Sequence, residues 1–324
     1  MSMLFRMLKD LASGVFARQP GPEALHQRGL AMRKSGRTKK ARDDLVRAAE
    51  MAPNQAEWLF DAAAACYAHG DHRLALEYCK RTRQIAPALS APCQLQAQII
   101  LGGERYTKVL ARVFEQLRPR TYVEIGISRG ESLQLAKPPA IAIGIDPEPM
   151  LSRPPAANHR IFAETSDAFF AGHDLGAELG GVPVDLAFID GMHHFEFALR
   201  DFINLERACA RESVILIHDC YPLDRETAER IQPPGFWSGD VWRLIVLLKK
   251  YRPGLAIHTI GTPPTGLAMV RNLEPDSRVL QENFERLCEE FLALDYSYLD
   301  QDKDKKLNLF PNDPEKIRIL LGGS

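Results

Sequence analysis

The stretch that decides the fold runs from Thr121 to Pro147, TYVEIGISRGESLQLAKPPAIAIGIDP. It reads as an apolar strand, a glycine turn, a short helix and a second strand that ends at Asp146. The turn carries Glu124-x-Gly126-x-x-x-Gly130. This order is typical of a nucleotide site at the carboxyl end of a parallel sheet. The glycines let the backbone approach a ligand closely, and the strand-tip acid can accept hydrogen bonds from ribose hydroxyls. A tight turn that binds no ligand is the alternative interpretation.

The turn departs from the G-x-G-x-x-G pattern of dinucleotide sites, because Ser128 stands in the place of the second glycine. That glycine makes room for a pyrophosphate, so its loss favours a nucleoside without phosphates over NAD. In this respect the segment resembles class I S-adenosylmethionine-dependent methyltransferases, whose first motif is (E/D)xGxxxG. The resemblance implies that Glu124, Gly126, Ser128 and Gly130 line the methionine end of the cofactor and that Asp146 binds its ribose.

A third strand is predicted around residues 160–163, and Thr165, Ser166 and Asp167 follow it. In the enzymes that the chain resembles, this loop contacts the adenine, so the resemblance makes these three residues cofactor candidates. Thr165 or Ser166 could instead be an ordinary helix N-cap.

Two further strands end in ionisable side chains. Residues 184–189 form an apolar run that stops at Asp190, and residues 213–217 form another that stops at His218. The carboxyl ends of parallel strands share one sheet edge, where chemistry collects in open α/β folds. The candidates at this edge are Asp190, His193, His194, His218 and Asp219. Helix capping and loop packing are the structural alternatives for each of them.

The pattern FIDG-x-H-H-x(6)-D followed by HD resembles sugar O-methyltransferases of the macrocin type and, more distantly, catechol O-methyltransferases. The resemblance implies that Asp190 and Asp219 hold a divalent metal such as Mg²⁺, with Asp190 also bordering the cofactor. The chain departs from the catechol enzymes at Cys220, where they have an asparagine ligand, and at His193, where they have a lysine. His218 or His194 could replace the missing ligand. The ligand set would then influence which metal binds, because oxygen and imidazole ligands suit Mg²⁺, Mn²⁺ and Fe²⁺ differently.

Methyl transfer to a hydroxyl requires a base, and histidine is the favoured residue near neutral pH. We therefore expect His193 to be the base, with Asp190 and Asp219 as metal ligands or orienting groups. His218 is the rival base.

The amino-terminal third has a different character. Gly36, Ala41 and Pro53 recur thirty-four residues later as Gly70, Ala75 and Pro87. This period resembles tetratricopeptide repeats, two helices per unit, over residues 21–101. Such a domain could bind a protein partner, mediate self-association or act as a spacer. Residues 1–20 are predicted to form an amphipathic helix or tail without the features of a signal peptide.

The remaining segments complete the predicted fold. Residues 221–242 are rich in Pro and Gly and are expected to form a loop over the site. Residues 255–260 and 266–270 are predicted as two last strands, the final one reversed, and residues 277–294 as a helix. Residues 300–306 are expected to be a charged, solvated segment. The prediction is a Rossmann-like, doubly wound α/β domain with seven strands over residues 102–273, preceded by the all-α repeats and followed by a helix and tail over 274–324.

Composition limits the function classes. The formal net charge is −1 and the chain lacks a basic stripe, so a nucleic-acid partner is not expected. Six scattered cysteines indicate free thiols in a reducing, cytoplasmic compartment. No apolar run is long enough to span a membrane.

The leading hypothesis is S-adenosylmethionine-dependent methylation of a hydroxyl on a small or sugar-like molecule. One alternative is a metal-dependent enzyme on the same fold that resembles cephalosporin hydroxylases. The other is a non-catalytic repeat scaffold with a degenerate enzyme domain.

Overall fold

The computed structural model describes residues 20–322, so the amphipathic helix predicted for residues 1–20 lies outside the described residues except for Pro20. The chain divides into two compact units between Ile99 and Ile100. No helix in the described part of the chain is long and apolar enough to cross a membrane.

The first unit is built from paired helices: α1 (Pro22–Lys34) with α2 (Thr38–Met51), and α3 (Ala56–His69) with α4 (His72–Ile85). Helix α5 (Ser90–Leu101) follows. Gly36 and Gly70 occupy equivalent turns with φ of 72° and 88°, a conformation that glycine adopts without a steric penalty. Ala41 and Ala75 are buried in the second helix of their pairs. The 34-residue period therefore corresponds to a repeated helix pair, and the tetratricopeptide assignment stays a prediction.

The second unit is organised around one sheet. Its strands are β1 (Thr121–Ile125), β2 (Ile141–Ile145), β3 (His159–Phe162), β4 (Val184–Ile189), β5 (Cys209–His218), β6 (Ala256–Ile260), β7 (Leu267–Arg271) and β8 (Leu309–Phe310). Their spatial order is β3-β2-β1-β4-β5-β7-β6-β8. Strands β1 to β5 are parallel, and β7 runs antiparallel to both of its neighbours, as the reversed last strand of the prediction requires.

The prediction of seven strands was wrong by one. Strand β8 pairs in parallel with β6, through Thr259 and Leu309. It has only two residues, too few to show an alternating pattern in the sequence, and the backbone of the edge strand β6 provides its pairing partner.

Helices cover both faces of the sheet. They are α6 (Tyr106–Leu117), α7 (Ser166–Gly172), α8 (Leu175–Glu178), α9 (Phe195–Ala208), α10 (Trp242–Tyr251), α11 (Val279–Glu282), α12 (Phe284–Leu292), α13 (Ser297–Asp300), α14 (Lys303–Lys306) and α15 (Pro314–Leu320). Alternate residues of β1 point to opposite layers: Val123 packs in the core with α9 and α10, and Tyr122 packs in the core with α6. This double burial explains why the strands read as continuous apolar runs.

Two local predictions need correction. The helix after Gly130 is one 3-10 turn, Leu133–Leu135, because two prolines follow at 138 and 139. The helix predicted over 277–294 is interrupted at Asn283.

The charged segment 300–306 is mostly exposed, as predicted. It is also anchored, since Lys303 Nζ donates to the Pro222 carbonyl at 3.0 Å and Asp304 accepts from the Tyr221 hydroxyl at 2.6 Å.

Candidate active site

Gly126 ends β1 at the centre of the sheet edge. Its φ is 84°, and a Cβ at this position would lie 2.1 Å from the Asp190 carbonyl oxygen. Glycine is therefore required here by the close approach of the chain after β4 as well as by the backbone conformation. The same turn is held to the second strand, because Gly126 N donates to the Ile145 carbonyl at 2.8 Å.

A hydrogen bond between Ser128 and Asp146 stabilises the turn. Ser128 has φ of 41°, which costs a non-glycine residue about 1–2 kcal/mol. Its backbone N–H donates to Asp146 Oδ2 at 2.8 Å, and Glu148 N donates to Oδ1 at 2.8 Å. Each carboxylate oxygen can accept more than one hydrogen bond, so Asp146 still has capacity for a ligand.

Glu124 lies beneath the turn rather than in its cavity. The side chain is fully buried and accepts hydrogen bonds from the Tyr122 hydroxyl at 3.0 Å and from the Ser132 hydroxyl. Burial raises the pKa of Glu124 to about 8, against the opposing effect of these two hydrogen bonds. Neither Glu124 nor Gly130 borders the cavity, so the structure places both as supports of the turn, and their predicted contact with a cofactor stays untested.

A cavity of about 470 Å³ opens above this turn. It brings together most of the predicted cofactor residues from four strand tips. Its lining includes Gly126, Ser128, Asp146, Thr165, Ser166, Asp167, Asp190, Met192, His193, Phe197 and Asp201. Thr165 also caps α7, because its Oγ1 accepts from Ala168 N at 3.2 Å. Thr165 therefore both caps this helix and lines the cavity.

The second half of the site is a cluster of histidines and carboxylates. His218 Nδ1 lies 3.0 Å from Asp190 Oδ1 and 3.1 Å from Asp219 Oδ2. His193 Nε2 lies 3.0 Å from the same Asp219 oxygen. Asp219 has φ of 55°, an uncommon conformation for a non-glycine residue that often marks functional sites.

The groups of this cluster shift one another's pKa values. Burial lowers the pKa of His218, but Asp219 and Asp190 raise it more strongly, so the net pKa lies well above the ordinary value. Burial raises the pKa of Asp219, yet His193 and His218 bring it below its usual range. Burial also raises the pKa of Asp190, which His218 partly offsets. A raised pKa favours the protonated form of His218, which is a poor base, so His193 is the better candidate.

Two other predicted residues have structural roles. His194 Nε2 lies 3.0 Å from the Arg230 carbonyl oxygen, away from the carboxylates. Cys220 is fully buried, and burial raises the pKa of its thiol to about 12. Neither is therefore available to replace the asparagine ligand of the catechol enzymes.

A second cavity of about 510 Å³ lies on the other side of His193. It shares four residues with the first cavity: Gly126, Ser128, Asp190 and His193. The rest of its lining includes Tyr106, Arg129, Glu131, Ser132, His218, Asp219, Phe236, Trp237, Pro264 and Thr265. Phe236 and Trp237 belong to the segment that we expected to form a loop over the site.

Sequence reasoning missed Tyr106 and Thr265. Tyr106 begins α6, and its ring centroid lies 4.1 Å from that of His218. Thr265 Oγ1 lies 3.4 Å from His218 Nε2. Both come from elements far from the motifs in the chain, and a lone Tyr or Thr gives no local signal that it will reach this edge.

The loop also fixes His193 itself. The Trp237 ring stacks on the imidazole with centroids 5.1 Å apart. Asp240 N donates to the His193 carbonyl at 3.1 Å, and Asp240 Oδ1 accepts from Phe195 N at 2.7 Å. A Cβ on Gly239 would lie 1.9 Å from the His193 carbonyl oxygen. The backbone of residues 193–195 is therefore held by direct contact with the loop.

The donor set fits a divalent cation. One ligand atom each from Asp190, His193 and Asp219 lie within 4.8 Å of one another. Neighbouring ligands of an octahedral ion with bonds of about 2.1 Å lie about 3 Å apart, which is the separation of His193 Nε2 from Asp219 Oδ2. His193 Nδ1 is buried and has no hydrogen-bond partner among the described residues. Two carboxylates with one imidazole suit Mn²⁺ or Fe²⁺ as well as Mg²⁺.

Residues 123–220 match a protein family described as a methyltransferase domain. The matched segment includes Asp146, Asp190, His193 and Asp219. No curated protein matches the sequence.

A search of solved structures found chains that are similar to part of this one. One is the O-methyltransferase TomG of Streptomyces achromogenes with S-adenosylmethionine, at 16% identity and a TM-score of 0.41, covering 52% of this chain and 80% of that one. Another is an O-methyltransferase of Bacillus cereus with S-adenosylhomocysteine, at 14% identity and a TM-score of 0.39, covering 55% and 86%. At these values neither likeness carries an argument about function.

Proposed function

We propose that the protein is an S-adenosylmethionine-dependent methyltransferase that acts on a hydroxyl group of a small or sugar-like molecule. The observation that carries the proposal is that two cavities meet at one wall, Asp190 and His193. Direct methyl transfer needs a donor and an acceptor on either side of such a boundary, with a base beside the acceptor. The methyltransferase domain over residues 123–220 supports the same class of reaction.

The first cavity is the cofactor site in this proposal. The methionine end lies against Gly126 and Ser128, and the ribose hydroxyls donate to Asp146. Positive φ at Gly126 and Ser128 directs the chain around this end of the cavity. Ser128 stands where dinucleotide sites have the glycine that makes room for a pyrophosphate, which favours a nucleoside ligand.

The second cavity takes the acceptor. The acceptor oxygen attacks the methyl carbon, the carbon–sulfur bond breaks, and its electron pair stays on sulfur to give the neutral thioether. His193 takes the hydroxyl proton, and Asp219 orients the imidazole and balances the charge that forms on it. Trp237 and Phe236 present aromatic faces, which suit the apolar face of a sugar or an aromatic ring.

A divalent cation is compatible with the same residues. Asp190 and Asp219 would hold it, and when bound it would lower the pKa of the acceptor hydroxyl. His193 Nε2 could be a third donor to the cation only in place of its role as the base, because its other nitrogen is buried. The carboxylates that now pair with His218 would supply the negative charge that such an ion needs.

The test begins with calorimetry of the purified protein against S-adenosylmethionine and S-adenosylhomocysteine. We expect both to bind, and absence of heat with both would contradict the proposal and favour the scaffold alternative. Mass spectrometry of co-purified molecules and a metal assay on the same sample would identify what the protein carries. Oxygen consumption with added Fe²⁺ would instead favour the hydroxylase alternative.

The base is tested with methyl-labelled S-adenosylmethionine and a panel of sugar and phenol acceptors. We expect His193→Ala to keep S-adenosylhomocysteine binding and to reduce transfer about 10²–10⁴-fold. Asp276→Ala, at an exposed position outside both cavities, is the matched control. Unchanged transfer in His193→Ala would end this assignment.

A further inference from the structure

Asp240 is a buried carboxylate that caps a helix to which it does not belong. It lies near the end of the loop over the site, and its side chain is fully buried. Helix α9 begins at Phe195, and the residue before it, His194, makes no side-chain capping hydrogen bond. Asp240 Oδ1 accepts from Phe195 N at 2.7 Å instead. The first N–H groups of a helix lack partners within the helix, and a negative charge near them is stabilising. The start of α9 therefore depends on a carboxylate 45 residues later in the chain.

Asp240 and Arg230 together contact four consecutive residues at the start of this helix. Besides capping the helix, Asp240 donates its backbone N–H to the His193 carbonyl at 3.1 Å. The Arg230 carbonyl oxygen lies 3.0 Å from His194 Nε2. The Arg230 guanidinium donates to both carboxylate oxygens of Glu196, at 2.7 and 3.0 Å. Arg230 Nη1 also donates to Asp240 Oδ2 at 2.6 Å, which ties the two loop residues to each other. The segment that carries His193 is thus bound by this pair at every residue.

The Asp240 carboxylate is itself held from a third direction. Its Oδ2 accepts from Arg243 Nη1 at 2.7 Å. Arg243 is buried, and it donates to the carbonyl oxygens of Phe291 and Leu294, in and just after α12. A buried charge is costly unless it is paired and its partners are satisfied, so displacement of this carboxylate is unfavourable. The helix start that it caps is therefore fixed as firmly as the carboxylate.

We propose that Asp240 is a positioning residue for methyl transfer, because it fixes the backbone that presents His193 to the acceptor. This inference rests on the proposed function. Neither Asp240 nor Arg230 lines either cavity, so both act through the residues that they hold. A displacement of a catalytic group by about 1 Å can lower a rate about a hundredfold. The effect should therefore fall on kcat, and not on the affinity for S-adenosylhomocysteine or on the KM of the acceptor.

The experiment measures kcat, KM and S-adenosylhomocysteine affinity in two variants. Asp240→Ala removes the acceptor for the Phe195 N–H, and we expect kcat to fall about a hundredfold. Arg230→Met removes the contacts of the guanidinium but keeps those of the backbone, so kcat should fall about tenfold. In both variants KM and ligand affinity should stay within about threefold of wild type. Arg230→Met decides the question if Asp240→Ala does not fold, since the Arg230 side chain is 35% exposed.

Glu206→Gln is the matched control. Glu206 is a buried carboxylate on the same helix, outside both cavities, and it accepts from Arg252 Nη1 and Nη2 at 2.7 and 2.8 Å. This variant should lower the free energy of unfolding and leave kcat unchanged. Unchanged kcat in Arg230→Met would overturn the inference. So would a loss of kcat in Glu206→Gln as large as that in Arg230→Met, which would indicate a purely structural effect.

A measurement that needs no acceptor separates this inference from the proposed function. The NMR signal of the His193 imidazole, assigned by its absence in His193→Ala, should shift or broaden in Arg230→Met. The signal of His258, on β6, should keep its position in the same variant. An unchanged His193 signal would overturn the inference whether or not wild type transfers a methyl group. Failure of wild type to bind S-adenosylhomocysteine would instead contradict the proposed function.

Discussion

The two walls of the site are stabilised in different ways. The cofactor wall around Gly126 and Asp146 is held by backbone hydrogen bonds within one continuous stretch of about thirty residues. The acceptor wall around His218 and Asp219 is a buried charge cluster assembled from β4, β5, α6 and the loop before α10. Because of this difference, we expect a substitution on the cofactor wall mainly to lower ligand affinity. A substitution on the acceptor wall should mainly lower the free energy of unfolding.

The largest expected effect is on the acceptor wall. Asp219→Ala would remove the buried carboxylate that contacts both His193 and His218, so the free energy of unfolding should fall by about 3–5 kcal/mol. Because Asp219 does not line the cofactor cavity, S-adenosylhomocysteine affinity should change less than about threefold. Urea unfolding and calorimetry on the same variant measure the two quantities. A variant as stable as wild type would contradict the account of a coupled charge cluster.

On the cofactor wall, Asp146→Ala should behave in the opposite way. It removes two charged hydrogen-bond acceptors for the ribose, each worth about 1.5–3 kcal/mol when the acceptor is charged. We expect S-adenosylhomocysteine affinity to fall at least about thirtyfold, whereas the free energy of unfolding falls by about 1–3 kcal/mol through loss of the exposed Ser128 and Glu148 contacts. Asp276→Ala again serves as the control. If Asp146→Ala binds the ligand as wild type does, the ribose assignment is wrong.

The smallest effect is a pH dependence centred on Glu124. Its pKa is raised to about 8 by burial, whereas an unfolded glutamate has a pKa of about 4.3. Between these values the folded state holds a proton that the unfolded state releases, so stability falls as pH rises and its loss is complete above about pH 8. From pH 6 to pH 8 we expect a loss of about 2 kcal/mol in the free energy of unfolding.

Glu124→Gln isolates this group, because the amide is neutral at every pH and keeps the shape of the side chain. The variant should lose less stability than wild type over this pH range, whereas Glu57→Gln, at an exposed position in the first unit, should follow wild type. Equal pH dependence in wild type and Glu124→Gln would show that Glu124 is ionised in the folded protein.

Much of the cofactor wall could be predicted because its determinants are local. The glycine spacing, the strand tip at Asp146 and the N-cap at Thr165 are each visible in a short window of sequence. The reason for Gly126 could not be read in this way, since the atom that excludes a side chain is a carbonyl oxygen sixty-four residues away in the chain, at Asp190.

The acceptor wall was predicted as a set of residues but not as an arrangement. The sequence identified Asp190, His193, His218 and Asp219 as strand-end groups. It could not place His218 between two carboxylates, because that arrangement depends on contacts of 3.0 Å with Asp190 and 3.1 Å with Asp219, and Asp190 follows a different strand. Nor could it separate His194 from the cluster, although His194 and His193 are adjacent.

By itself, the amino-acid sequence determined the parallel order of the central strands, the helix-pair period and the residue types at the sheet edge, since these follow from local patterns of apolar and turn residues. The tertiary structure alone decided two further features: the eighth strand, and the ring contacts of Tyr106 with His218 and of Trp237 with His193. Each of these features depends on which distant segments of the chain pack together. The local sequence pattern of a segment does not reveal its distant packing partner.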